Sequence, residues 1–206
     1  MTTSSGKFHK LPQRTISSLI AFAVLVMLTW AGWFSLSVLL TFAVCMGLYE
    51  YRNMARKAGL AIGGRSIYIF AVLMLLASQP WLRDGIWFIP AGIPWREVVL
   101  WAYIFWVMIV EVVRPSERPL ERIMTSIFGM VYIPFLLSFG LLLRYYPNGD
   151  LGFWYTMIAA VGAFSSDVGA YTIGGLIGKR KLAPEISPSK TLEGSLGGLF
   201  CSALML

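Results

Sequence analysis

The sequence predicts an all-α, polytopic transmembrane protein with about six spans plus an incomplete seventh, and three observations carry that prediction. Of the 206 residues, 57% are hydrophobic and 13% charged, where an ordinary soluble domain has about 25% charged. The apolar residues gather into runs near the ~20 residues that a hydrocarbon core requires. Basic residues alternate in abundance from one intervening loop to the next, as they do when loops face two compartments. No repeat, low-complexity tract or soluble second domain breaks the pattern, so residues 1–206 are expected to form a single integral membrane domain.

The first apolar run, Ile16 to Tyr49, follows a basic N-terminal tail but shows no small-residue cleavage pattern at its end, so it is read as retained membrane structure. It is too long for one span and short for two. Ala31, Gly32 and Trp33 offer a turn with an interfacial aromatic, which splits the run into two short helices. Further spans are expected at about Ser66 to Trp81, Trp95 to Val113, Ile123 to Leu143 and Leu151 to Ile173, with a last apolar piece from Gly194 to Leu206. The segment Trp81 to Trp95, with Trp87, Pro90, Gly92 and Pro94, reads as an outer loop in the aromatic belt. The loop Arg114 to Arg122 reads as a solvated connector.

Fourteen of the seventeen Lys and Arg residues fall in the N-terminal tail and in every second loop thereafter. The alternate loops hold only Arg83, Arg96 and Arg144. The positive-inside rule then puts the N-terminus and the loop after Ile173 in the cytoplasm. The net charge of +7 is explained by loops facing anionic lipid, so no nucleic-acid partner is expected. Cys45 and Cys201 sit in apolar runs without a second Cys nearby and read as packing residues. With His9 the one histidine, no zinc or haem site is available, and any metal must take oxygen ligands, which favours magnesium or calcium.

Ser165 to Gly198 reads as chemistry. Asp167 is a carboxylate within an apolar segment, where insertion costs about 3 kcal/mol, so it is a functional-site candidate. In a continuing helix Asp167, Tyr171, Gly174 and Gly178 fall at offsets of 0, 4, 7 and 11, on one face. Gly174 and Gly178 would let a second backbone approach closely, with Ser166, Gly169, Ala170 and Gly175 adding small residues nearby. Lys179, Arg180 and Lys181 lack phosphate-loop spacing and form a basic cluster at the membrane edge. Ser187 and Pro188 fit an N-cap and first helical position, which would stand Ser189, Lys190 and Thr191 at a helix N-terminus suited to phosphate. Glu193 reads either as a solvated first-turn acid or as a second oxygen ligand for a metal. Glu50 and Glu111 each lie beside an arginine, Arg52 or Arg114, and interfacial pairing accounts for them.

The run from Asp167 through Gly169, Ala170 and Tyr171, then Gly174, Gly178, Lys179, Lys181, Leu182, Ala183 and Pro184, then Ile186, Ser187, Pro188, Lys190, Thr191, Glu193 and Gly194, closely resembles the bacterial phosphatidate cytidylyltransferases, or CDP-diacylglycerol synthases. A looser similarity covers Tyr49 to Arg52, Gly129 to Ile133, and Leu143 with Arg144. Ser189 stands where that family more often has Lys or Asn, and Leu192 where an aromatic is common. The resemblance implies that phosphatidic acid attacks the α-phosphorus of CTP, giving CDP-diacylglycerol and pyrophosphate.

It further implies magnesium, as one ion or two, with Asp167 and Glu193 as metal ligands and Asp167 and Lys190 as catalytic residues. Ser187, Ser189, Thr191, Lys179, Lys181 and Tyr171 are implied as substrate-binding. CTP, phosphatidic acid and membrane lipid are the expected partners, a homodimer is left open, and the site is expected to face the cytoplasm from the inner membrane. The family also carries a later signature rich in Ser, Lys, Asp, His and Gly. The chain ends before it, so the expectation is a C-terminally truncated copy, with a catalytically silent scaffold or a CTP-dependent enzyme of another lipid phosphate as the alternatives.

Overall fold

The computed structural model describes residues 11–83, 93–145, 149–185 and 187–205, with the side chains of 11–19, 82, 83, 149 and 150 left aside. The expectations for Lys7, His9, Lys10, Trp87, Pro90, Gly92, Ile186 and Leu206 lie outside the described residues. The backbone forms helices nearly throughout because apolar runs in hydrocarbon must satisfy their own N–H and C=O groups. The chain divides into two units, residues 1–149 and 150–206.

In the first unit, α1 (Leu11–Trp30) and α2 (Trp33–Lys57) are separated where expected. Gly32 breaks the helix with φ of 118°, a conformation that side-chain-bearing residues rarely adopt. There follow α3 (Ser66–Ala77), the short α4 (Pro80–Arg83), α5 (Trp95–Val113), α6 (Pro119–Met130) and α7 (Leu136–Tyr145). A π-helical turn, Val131–Phe135, joins α6 to α7 and contains Pro134, whose missing N–H a wider turn accommodates. Leu36, Val44 and Leu48 of α2 pack with Ile67, Ala71 and Met74 of α3, Tyr103 and Val107 of α5, and Met130 and Leu141. Among the described residues two helices, Trp33–Lys57 and the continuous Pro119–Tyr145, are long and apolar enough to cross a membrane.

Polar groups join the ends of these helices. Arg52 is 6% exposed and donates to the carbonyls of Gly63 (2.8 Å) and Gly64 (2.5 Å), while Ser126 Oγ accepts from Gly63 N–H at 2.9 Å. Glu111 accepts from both the N–H and hydroxyl of Ser116 at 2.6 Å and pairs with Arg122 at 3.3 Å. The expected pairs Glu50 with Arg52 and Glu111 with Arg114 are therefore corrected. Glu50 and Arg52, two residues apart, do not face each other on a helix, Arg114 lies past the helical end of α5, and for Arg52 and Glu111 partners supplied by the tertiary structure take the place of the expected ones. Arg96 also differs from an outer-loop cation: it is buried, with its guanidinium 4.0 Å from the Phe139 ring centre and 4.8 Å from that of Phe135.

The second unit consists of α8 (Gly149–Ile177), a hairpin of β1 (Lys181–Ala183) and β2 (Ser187–Thr191), and α9 (Leu192–Met205). The strands are antiparallel, with Lys181 opposite Thr191 and Ala183 opposite Ser187. This small hairpin qualifies the all-α expectation.

Candidate functional site

The site is built on the contact between α8 and α9. Ser166, Ala170, Gly174 and Gly178 recur every four residues along one row of α8 and its C-terminal extension, and they meet the glycines of α9. A Cβ placed on Gly194 would lie 2.7 Å from Ala170 O, 2.9 Å from Gly174 Cα and 2.9 Å from Thr191 Oγ1. One on Gly198 would lie 2.6 Å from Ser166 O, and one on Gly169 2.7 Å from Cys201 Sγ. The expected close approach at Gly174 and Gly178 is present. The helix continues to Ile177, so the spacing keeps Asp167, Tyr171 and Gly174 on one broad face; Gly174 lies at the seam, and Asp167 and Tyr171 are exposed beside it. Backbones approach along the row with the smallest side chains, and an acid and a phenol cannot occupy it.

The helix entry lies four residues later than Ser187 and Pro188 suggested. Ser187 to Thr191 are extended because they pair with Lys181–Ala183, and α9 starts at Leu192. Pro188 fits on an edge strand, where its missing N–H costs nothing. Thr191 is the N-cap: its Oγ1 accepts from Gly194 N–H at 3.2 Å. The side chain is 7% exposed and its hydroxyl oxygen fills the space beside Gly174 and Gly178. Ser187, Ser189 and Thr191 fall on one face of the strand by alternation, and Lys190 on the other. Ser189 and Lys190 are exposed and Ser187 is half-buried.

Glu193 occupies the first turn of α9 and faces the basic turn that follows α8. One carboxylate oxygen accepts from Lys179 N–H at 3.0 Å, and both lie 3.2 Å from Arg180 N. Leu192 N–H donates to Arg180 O at 2.9 Å, which closes the turn from its other side. Backbone donors at Glu193 itself, Lys179 and Arg180 hold this carboxyl below the usual carboxylate range. The amides of Leu192, Glu193 and Gly194 are thus taken by protein groups. The phosphate-ready helix N-terminus expected here is replaced by a capped one. Lys179, Arg180, Lys181 and Lys190 keep exposed side chains around it.

Asp167 lies ten residues before the end of α8, about 15 Å along its axis at 1.5 Å per residue. Its carboxylate makes no hydrogen bond or ion pair among the described residues, and no group of three or more His, Cys, Asp or Glu side chains there could hold a metal ion. One unengaged carboxylate suits a magnesium that takes its remaining oxygens from water and substrate phosphates. Glu193, with its carboxylate committed to backbone N–H groups, does not offer the same. Sequence reasoning missed the cap at Thr191 and the contact from Glu193 to the basic turn. A Thr two residues before an acid and three before a glycine is the one local signal for them.

The phosphatidate cytidylyltransferase of Synechocystis sp. is 27% identical over 219 residues, covering 94% of this chain and 70% of that protein. The enzyme of that name from Staphylococcus aureus is 26% identical over 196 residues, covering 93% of this chain and 69% of its own length. Its namesake in Mycobacterium bovis is 42% identical over 82 residues, which is 40% of this chain and 26% of that one. No solved structure matches significantly. The sequence model of the cytidylyltransferase family matches residues 12–206. A match of that extent, over both the apolar helices and the polar hairpin between α8 and α9, makes this chain a membrane protein of the cytidylyltransferase family.

Proposed function

We propose that this protein is a phosphatidate cytidylyltransferase. A phosphate oxygen of phosphatidic acid attacks the α-phosphorus of CTP, the bond from that phosphorus to the β-phosphate oxygen breaks, and CDP-diacylglycerol and pyrophosphate form. The observation that carries this reading is the family match over residues 12–206. Its support in the fold is a hairpin with exposed Ser189 and Lys190, flanked by exposed Lys179 and Lys181, in a protein otherwise made of apolar helices. Such a place can take a lipid phosphate from the bilayer and a nucleotide from water.

Phosphoryl-type transfer asks for positioning and charge neutralisation more than for covalent chemistry. Lys190, Lys179 and Lys181 supply positive charge to CTP and to the lipid phosphate, and Ser187 and Ser189 offer hydroxyl donors. Asp167 would hold magnesium, which when bound supplies further charge neutralisation at phosphate oxygens. Tyr171, exposed one turn beyond Asp167, lies on the same flank for contact with substrate. The alternation of basic loops supports a cytoplasmic-facing site in the inner membrane, reached by six spans before α9.

The test is incorporation of labelled CTP into lipid by membranes containing the chain or its Asp167→Asn variant, with phosphatidic acid supplied. Phosphatidic-acid-dependent CDP-diacylglycerol is expected from the first, and a rate lower by roughly a hundredfold from the second. Equal rates would remove Asp167 from the reaction. Label in a different lipid would redirect the substrate, and no label in any lipid would leave a silent scaffold.

A further inference from the structure

We infer that Glu193 is a positioning residue that fixes the basic turn at the end of α8 in the orientation that binds CTP. Three observations converge on it. Its carboxylate accepts the N–H groups of two successive residues, Lys179 and Arg180. Arg180 is held from its other side by Leu192 N–H, so the turn is fastened to the first two residues of α9. The base of the turn is fixed as well, since a Cβ on Gly178 would come within 2.6 Å of Thr191 Oγ1.

The consequence is chemical as well as structural. A backbone pinned at Lys179 and Arg180 leaves both side chains exposed. Three successive cations, Lys179, Arg180 and Lys181, would repel one another in a loose loop. Fixed in place beside the hairpin that carries Lys190, they form a pre-ordered positive surface, which lowers the ordering cost of binding a polyanion. The carboxylate does this through acceptor oxygens and not through metal coordination. A neutral amide oxygen of the same shape can therefore replace it, whereas a methyl group cannot. The CTP part of this inference rests on the proposed reaction.

The test compares the full chain in lipid nanodiscs with Glu193→Gln and Glu193→Ala. Limited trypsin digestion reads the turn without reference to activity. Glu193→Ala is expected to accelerate cleavage after Lys179, Arg180 or Lys181 at least tenfold, and Glu193→Gln by less than threefold. In the lipid-labelling assay Glu193→Ala should raise KM for CTP about tenfold with kcat within threefold, Glu193→Gln should restore most of that KM, and the magnesium concentration for half activity should stay the same in both. Unchanged cleavage in Glu193→Ala overturns the inference. So does a Glu193→Gln protein as impaired as Glu193→Ala, or a magnesium requirement that rises with the loss of the carboxylate. Should the wild-type chain make no labelled lipid, the reaction reading fails while the cleavage pattern still decides the role of Glu193.

Discussion

At Gly194 a single methyl group has nowhere to go. Three atoms lie within 3 Å of where it would stand, two of them on the backbone of α8, so the two helices must separate to admit it. Gly194→Ala is expected to cost about 1–3 kcal/mol, as overpacked contacts do, seen as a lower thermal midpoint of the purified protein. Gly175→Ala is the contrast: nothing lies within 4 Å of its Cβ position. There the better helix propensity of alanine, up to about 1 kcal/mol, should leave the midpoint equal or higher. Both residues are equally plain glycines in the sequence. What separates them is the identity of the helix that packs against α8, and no local pattern encodes that.

At the scale of elements, the ion pair of Glu111 with Arg122 ties the end of α5 to the first turn of α6. Glu111 is 7% exposed, and removing its partner leaves a buried charge supported by Ser116 alone. Arg122→Met is therefore expected to lower stability, measured as an earlier denaturant midpoint in detergent, and Glu111→Gln combined with it should recover part of the loss. The helices themselves were legible because apolar run length and Gly32 mark their boundaries directly. The predicted run at Trp95 to Val113 agrees with α5 at both ends. The hairpin was not legible. Ser187 followed by Pro188 suits a helix entry and an edge strand equally well, and the choice is made by pairing with Lys181–Ala183. Lys179, Ser189 and Lys190 were singled out by their chemical type, and all three are exposed. The partners of Arg52, Glu111 and Glu193 were not legible, because each is made across a turn or between helices.

For the whole molecule, the asymmetry of fourteen basic residues against three is the basis for expecting the Lys179–Lys181 turn on the cytoplasmic side. In sealed vesicles trypsin is expected to cut the Lys179–Lys181 turn when the cytoplasmic face is outward and to spare it when that face is enclosed. Cutting in right-side-out vesicles would reverse the assignment. The π-helical turn at Val131–Phe135 bears on how such a long crossing keeps one side inward. Ser126, Met130, Pro134 and Ser138 are all buried, each four residues after the last. In an unbroken α-helix that spacing drifts by roughly 40° a step, or roughly 120° from first to last. Five residues wound more loosely take back most of that rotation. The turn therefore works as a phase corrector: winding its five residues as ordinary α-helix would swing Ser138 and Leu141 toward lipid and bring Leu137 and Gly140 into the core, without changing a single side chain.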